Sequence, residues 1–537
     1  MKARRGYVPD EGIFPFMGIN TLVPSTQLDP RFSPNLQNVD ITKGLIEKRR
    51  GYQALGGSLV DPVIGVYEFE TLAGSKILLA FTTKKQYRWS GSAWTNITYQ
   101  SGGVDVDWTG TEEDWLDIQV VAGLDASGTY TKWIVVSNGK DQARYWDGSM
   151  TRFARYHTDA VSSGGAGITF PNFVTYRAGA QFYDHVVLAN VTAASAQKNL
   201  IAWSHTGSLV DFGGANAGEA YIPDSMGAIV KLAHLGDRLM IYSENSVGML
   251  TYVAGDLIFT QEQVLQNSRL VSGRCVVSIG PYHLLLTEEN VLVFDGTKFA
   301  RPVGDAIYRQ YRRELYTPNR VRAFAFHDPA RQHVYFNVPI STDQNVFYRM
   351  EYNLADMSQS VWTRLTYGDR PVSMGLFSRE QTLKWNSTQL SGLSWSEIGI
   401  TWNQATVRKA FPIRVFGSQS AVFIDDELTT RDGSQAIDSY WDSKDFAVPG
   451  NFRSSLGRWL EIELDAQGYE VDVYISDNEG QTFSFVQKLE LGTNWGKYTV
   501  PIDVMSKHLR VRLRNACVNS KFQVRWMRIW VREGGPT

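Results

Sequence analysis

The chain reads as an all-β protein: a β-propeller of six or seven blades, with an extended N-terminal arm before it and a β-sandwich after it. Three observations carry that expectation. An aromatic residue repeatedly leads into a tight polar turn with Gly or Asp and then a second aromatic. Short apolar runs bounded by turn residues fill the same stretch, and two-residue alternation dominates the last hundred residues. These features place the arm at 1–52, the propeller at 53–429 and the sandwich at 430–537.

The arm is broken by prolines at 9, 15, 24, 30 and 34, which interrupt any helix or central strand. Phe14, Phe16, Met17, Leu28, Pro30, Phe32 and Asn38 mark it as a segment pinned onto another surface, here expected to be a neighbouring subunit. Lys48, Arg49 and Arg50 end it. That cluster reads as a solvated turn, with a contact to a neighbouring subunit or to phosphates as the sharper alternative.

The aromatic–turn–aromatic phrase comes next. Tyr87-Arg88-Trp89-Ser90-Gly91-Ser92-Ala93-Trp94 is its first copy, residues 145–153 its second, and 293–299 its clearest later one. Weaker copies run from Trp203 to Phe212, Tyr252 to Phe259 and Tyr352 to Trp362. Each reads as a strand, a turn and a return strand. The leading aromatics stand at 89, 146, 203, 252, 294 and 352, close to the roughly 40–60 residues that a four-stranded blade needs. Runs such as Trp133-Ile134-Val135-Val136 and His283-Leu284-Leu285-Leu286 supply the buried strands. Six phrases predict six blades, and residues 376–425 supply a seventh or close the ring. The amphipathic stretch from Asp305 to Leu315 is the one good helix candidate.

The final segment alternates strictly, as in Arg458-Trp459-Leu460-Glu461-Ile462-Glu463-Leu464 and Leu509-Arg510-Val511-Arg512-Leu513-Arg514. Strands with one buried and one wet face look like this. The wet face is expected to carry Arg510, Arg512, Arg514, Arg525 and Arg528, as a solvated sheet or as a basic docking surface.

Bulk composition fits a folded, turn-rich β protein, with 43% hydrophobic residues and 47 glycines. With 53 basic and 55 acidic residues, no global basic field draws the chain onto nucleic acid. Cys275 and Cys517 are too few for a disulfide framework and read as two buried reduced thiols. No apolar run reaches the ~20 residues that would span a membrane. The start lacks a signal-like apolar stretch, so synthesis in the cytoplasm is expected.

The chain offers no catalytic constellation, and no enzyme activity, cofactor or metal is expected. The eight histidines form no His-Glu-x-x-His pair, and neither a phosphate-binding loop nor a nucleophile elbow occurs. Gly164-Gly165-Ala166-Gly167 reads as a flexible loop. Asp425-Asp426-Glu427 with Asp432 lacks the alternating ligands of a calcium loop and reads as an acidic turn. Residues 476–483 resemble the Asp-box hairpin of sialidases and related propellers, with Asn478 at the usual Asp position. That motif stabilises a turn and is not catalytic. Trp441 and Trp495 are candidates to stack on sugar rings, although packing is the commoner fate of Trp.

Residues 28–40, followed by Gly44-Leu45-Ile46-Glu47-Lys48-Arg49-Arg50-Gly51-Tyr52, resemble the N-terminus of a tailed-phage virion family that includes the tail nozzle, or tail-hub, proteins of short-tailed phages. The Asp-Gly hairpins and the terminal Arg/aromatic strands are similar too. Arg50 departs from the family pattern, where a proline is common. The resemblance implies a homo-oligomeric ring, sixfold, below the portal-adaptor in the virion tail. Its implied partners are the adaptor, other tail proteins or fibres, and genomic DNA passing without sequence-specific contacts. The alternative from another class is a host-surface glycan-binding or sialidase-like propeller.

Overall fold

The computed structural model describes residues 8–9, 13–156, 158–160, 175–192, 195–253, 255, 258–378, 412–426, 429–447, 457–518 and 520–533. Most of the chain forms small antiparallel sheets in sequence order. The first sheet comprises Val63–Glu70, Lys76–Thr82, Gln86–Trp89 and Trp94–Asn96. Five more four-stranded meanders follow, beginning at Asp117–Leu124, Thr175–Phe182, Ile229–Leu235, Val276–Ser278 and Phe324–Asp328. A seventh sheet contains Ser373–Phe377, Ile413–Gly417 and Val422–Asp426. Its next strand is Gly51–Ala54, drawn from before the first sheet.

The leading aromatics of the repeat close the third strand of each of the first six sheets: Trp89, Trp146, Trp203, Tyr252 and Phe294 are terminal strand residues, and Tyr352 follows Glu351 directly. The turns that follow them explain the Asp-Gly signature. Asp147 accepts from the backbone N–H of Ser149 and of Met150 at 2.8 Å, while Gly148 takes φ 92°. Asp295 and Gly296 repeat the arrangement, with Thr297 N–H at 3.0 Å and φ 85°. An Asx turn beside a left-handed glycine reverses the chain with little steric cost. Trp146 then buries its ring against Phe153 and donates Nε1–H to the Met150 carbonyl at 2.7 Å.

Core packing runs between sheets. Second strands, buried on both faces, read as unbroken apolar runs such as Trp133-Ile134-Val135-Val136. First strands of successive sheets are neighbours from the second sheet to the seventh, and the seventh meets the first. The first and second sheets share Phe69, Leu79, Phe81, Ile134, Val136 and Trp146. The expected helix forms as a turn at Asp305–Ile307 and a short helix at Tyr308–Glu314.

The two ends of the chain build two six-stranded sheets together. One orders Val39–Thr42, Leu45–Lys48, Phe522–Glu533, Gly457–Gly468 and Gly496–Ser506, with Val8–Pro9 added to Phe522–Glu533. The other orders Leu36–Gln37, Ser439–Asp442, His508–Asn515, Glu470–Ser476 and Ser484–Glu490, with Phe446–Ala447 paired to His508–Asn515. Trp441, Trp459, Ile462, Leu464, Val511, Leu513, Val524 and Met527 lie in the core they share with the arm and the fifth and sixth sheets.

This corrects the expectation of a separate arm. Phe16, Ile19, Leu36, Val39, Ile41 and Ile46 are buried within the chain's own core, so the burial expected from a neighbour is supplied intramolecularly. The expected boundary at 52/53 falls inside Gly51–Ala54, a strand of the seventh sheet. Strict alternation also fails in Phe522–Glu533. The register shift at Asp465/Ala466 leaves one extra residue between Val524 and Trp526, so Val524 and Met527 are both buried and Arg525 and Arg528, three residues apart, both stay out of the core.

The loop at 164–167 and Glu427 lie outside the described residues. Cys275 is buried, with its thiol pushed up to about 12 by burial, but Cys517 is exposed, contrary to expectation. No helix among the described residues is long and apolar enough to cross a membrane.

Candidate functional site

The residues singled out in the sequence converge on one place, where the arm, the seventh sheet and the sandwich meet. Arg49 is its centre. The residue is 3% exposed and its side chain forks onto Asp432, with Nη1 to Oδ1 at 2.9 Å and Nη2 to Oδ2 at 2.6 Å. Nε donates to Asn38 Oδ1 at 3.0 Å, Nη2 also donates to the Thr366 carbonyl at 2.6 Å, and the guanidinium lies 4.7 Å from the Tyr367 ring centre. Burial alone would lower the Arg49 pKa; the Asp432 carboxylate outweighs it and holds the group above its ordinary value. Asn38 can hold this position because it takes φ 55°, a region Asn tolerates, and its Nδ2 donates to Thr366 Oγ1 and to the Asp438 carbonyl.

Lys48 is buried beside it without a carboxylate in ion-pair contact among the described residues. Its Nζ donates to Asn515 Oδ1 at 2.7 Å and to the Cys517 carbonyl at 2.9 Å, and burial pulls its pKa down to about 8. Arg50 is exposed. Further buried pairs extend the junction: Arg349 with Asp40, and Arg414 with Asp425 at 2.9 Å. The acidic stretch considered for calcium is therefore met by arginines: Asp425 holds Arg414 and Arg331, and Asp432 holds Arg49. Among the described residues no group of three or more His, Cys, Asp or Glu side chains is placed to hold a metal ion.

The expected basic surface is largely neutralised. Arg510 pairs with Asp445, Arg512 with Asp442 and Arg514 with Asp438, each through two hydrogen bonds of 2.6–3.1 Å. Arg525 pairs with Asp465. Arg528 lies between the rings of Trp526 and Trp530, at 5.7 and 6.0 Å. The physical reason is register: Ser439–Asp442 runs antiparallel to His508–Asn515 and sets Asp442 opposite Arg512. The set Asp438, Asp442 and Asp445 escaped notice in the sequence, although its spacing against Arg510, Arg512 and Arg514 was the available signal.

The arm residues divide. Phe16 is buried with its ring edge-on to Trp441 at 5.1 Å, and Leu28 is buried too. Met17, Pro30 and Phe32 are half-buried, and Phe14 is 53% exposed. Trp441 is fully buried and cannot stack on a sugar; Trp495 is half-buried with Arg525 4.9 Å from its ring centre. The turn after Ser476 matches its expected structural role, with Asn478 accepting from Thr482 N–H at 3.0 Å and Ser476 Oγ accepting from Gly480 N–H at 2.9 Å. Arg512 rests 3.7 Å from the Phe483 ring centre. Forked, buried pairs of this kind position and hold segments; none of them presents a nucleophile beside a base.

No family model matches this chain, and no curated protein matches it in sequence. Solved structures of a family 29 carbohydrate-binding module are similar over part of it. One variant aligns at 10% identity over 22% of this chain and 69% of the module, with a TM-score of 0.14. The module described without a variant aligns at 11% identity over 23% of this chain and 68% of its own length, with the same TM-score.

Proposed function

We propose that this chain is a structural protein of a tailed-bacteriophage virion, forming a ring below the portal-adaptor through which DNA is ejected. In this reading the seven small sheets are the blades of one closed propeller. The observation that carries it is the strand Gly51–Ala54, which comes from before the first sheet and pairs with Val422–Asp426 of the last. In a propeller, a strand from before the first blade that completes the last one would close the ring with the chain's own ends and leave a stiff body. The arm continues from that strand into the sandwich, so body and flank are one covalent brace.

The charge pattern supports a passive conduit. Net charge is −2, and the arginines of the last strands are largely neutralised by aspartates within the chain. Arginines paired in this way offer DNA few phosphate contacts through which to stick. Negative-stain images and the solution mass of the purified full chain, alone and with its adaptor, test the reading. Closed rings with a central channel are expected. A chain that stays monomeric with its adaptor yet binds cell-surface polysaccharide would overturn it in favour of the glycan reading.

A further inference from the structure

One end of the seven-sheet body gathers arginines from several sheets. Arg370 Nη2 donates to both oxygens of Glu112, at 2.9 and 2.7 Å, and Gln419 donates to the same carboxylate at 2.8 Å. Arg322 lies 3.8 Å from Glu112 and 3.4 Å from Glu113. Arg274 and Arg177 have no carboxylate in ion-pair contact among the described residues. Arg274 donates to the Val372 carbonyl at 2.9 Å over the Phe324 ring, and Arg177 donates to the Asn138 carbonyl at 2.7 Å over the Trp115 ring. Gly273, the residue before Arg274, packs directly on the Trp115 ring that Arg177 covers. Burial, with Arg177 close by, draws Arg274 down to about 10.

Two enclosed guanidiniums without a counter-ion are costly, and stacking on aromatics holds them in place without neutralising them. A cavity of about 10 Å³ lies among Glu112, Arg274, Arg322, Asn337, Asn345 and Arg370, room for about one oxygen atom. Two buried polar atoms of its wall have no partner: Arg322 Nε, a donor, and Asn337 Oδ1, an acceptor. Asn337 is 2% exposed, and its amide cannot turn its NH₂ inward without losing the bond from Nδ2 to the Arg322 carbonyl.

We propose that this end of the body binds a singly protonated phosphate, free or as a terminal monoester, with one of its oxygens seated in the cavity. Glu112 and Glu113 already meet Arg370 and Arg322, which leaves Arg274 as the cavity-lining cation open to an anionic oxygen. Asn337 Oδ1 can only accept and Arg322 Nε can only donate, so the oxygen seated between them must itself carry a hydrogen, as the hydroxyl of hydrogen phosphate does. Hydrogen phosphate satisfies both demands, whereas sulfate and simple carboxylates lack the donor. The inference does not depend on ring assembly.

Thermal unfolding of the full chain near pH 6.5, at constant ionic strength, tests it with inorganic phosphate, glycerol phosphate, sulfate and acetate. Phosphate is expected to raise the Tm in a saturable way and sulfate to do so about tenfold less tightly, the factor for one lost hydrogen bond. A response to inorganic phosphate alone would identify the free ion, and a response to both phosphates a phosphoryl group. Arg274→Met should abolish the response, with Arg322→Met, which removes the unpartnered Nε of the cavity wall, as the second variant if the first does not fold. Asn337→Leu should leave phosphate and sulfate equivalent. Equal responses to phosphate and sulfate in the unaltered chain, or an undiminished response in the arginine variants, would overturn the proposal.

Discussion

The seven-sheet body and the terminal sandwich solve the same problem, burying β-strands, in opposite ways. Each of the first six sheets is made from one contiguous stretch, as where Asp117–Leu124 pairs with Tyr130–Ser137 through a short turn. The sandwich instead pairs Leu36 with Trp441 and Ile46 with Val524. Local sheets recover their loop-closure entropy strand by strand, whereas the sandwich closes most of the chain before its first long-range bond forms. The body is thus a sum of neighbouring units, and the sandwich is a single event that needs both termini.

Removing residues 1–48 should break this comparison most severely. The sandwich would lose strands from both sheets and the buried side chains of Phe16, Leu36, Val39, Ile41 and Ile46. Hydrogen exchange is expected to show protection lost throughout Gly457–Gly468 and Phe522–Glu533 but kept in Tyr130–Ser137. Equal loss in both regions would mean that the body, too, depends on the arm.

A smaller break targets the buried clasp. Asp432→Ala leaves Arg49 buried without its partner, and loss of one member of such a pair typically costs about 3–5 kcal/mol. Denaturant unfolding should show that loss in full. The double change Arg49→Met with Asp432→Leu should recover much of it, because desolvating the pair offsets most of its attraction. A double variant no better than the single would show that Arg49 acts mainly through Asn38 and Thr366.

The same contrast governs what could be read from sequence. Trp146-Asp147-Gly148 announces its turn because every group that makes it lies within a few residues. Leu36-Gln37 carries no sign that Trp441 is its partner, and prolines at 30 and 34 make the segment look extended. Alternation puts Arg510, Arg512 and Arg514 on a strand, but their neutrality depends on aspartates about seventy residues earlier. Periodicity reports which face a side chain takes; it cannot report what the neighbouring strand sets opposite.

Lys48 sharpens the comparison through pH. Its folded pKa, about 8, lies below the ordinary value of 10.5. Below pH 8 folded and unfolded chains both hold the proton, and the cost of the buried charge is fully present. Between about 8 and 10.5 the unfolded chain binds a proton that the folded chain has released, so stability rises with pH by up to about 3 kcal/mol. Tyrosines such as Tyr52, pushed up by burial, oppose this above pH 10, so the difference between the unaltered chain and Lys48→Met isolates it. A pH-independent difference would place Lys48 in water.

The smallest effect is expected where the geometry looks as good as that of the clasp. Arg458 forks onto Asp503 at 2.5 and 2.9 Å, distances close to those between Arg49 and Asp432. Yet Arg458 is 51% exposed and Asp503 62%, against 4% and 5% for the clasp. Water competes for the exposed pair and salt screens it, so the ordering of two side chains offsets most of the attraction. Arg458→Ala should leave the Tm unchanged within error at low and high salt, while Asp432→Ala lowers it at both. If Arg458→Ala proved as damaging as Asp432→Ala, fork geometry rather than burial would be what holds the two ends of the chain together.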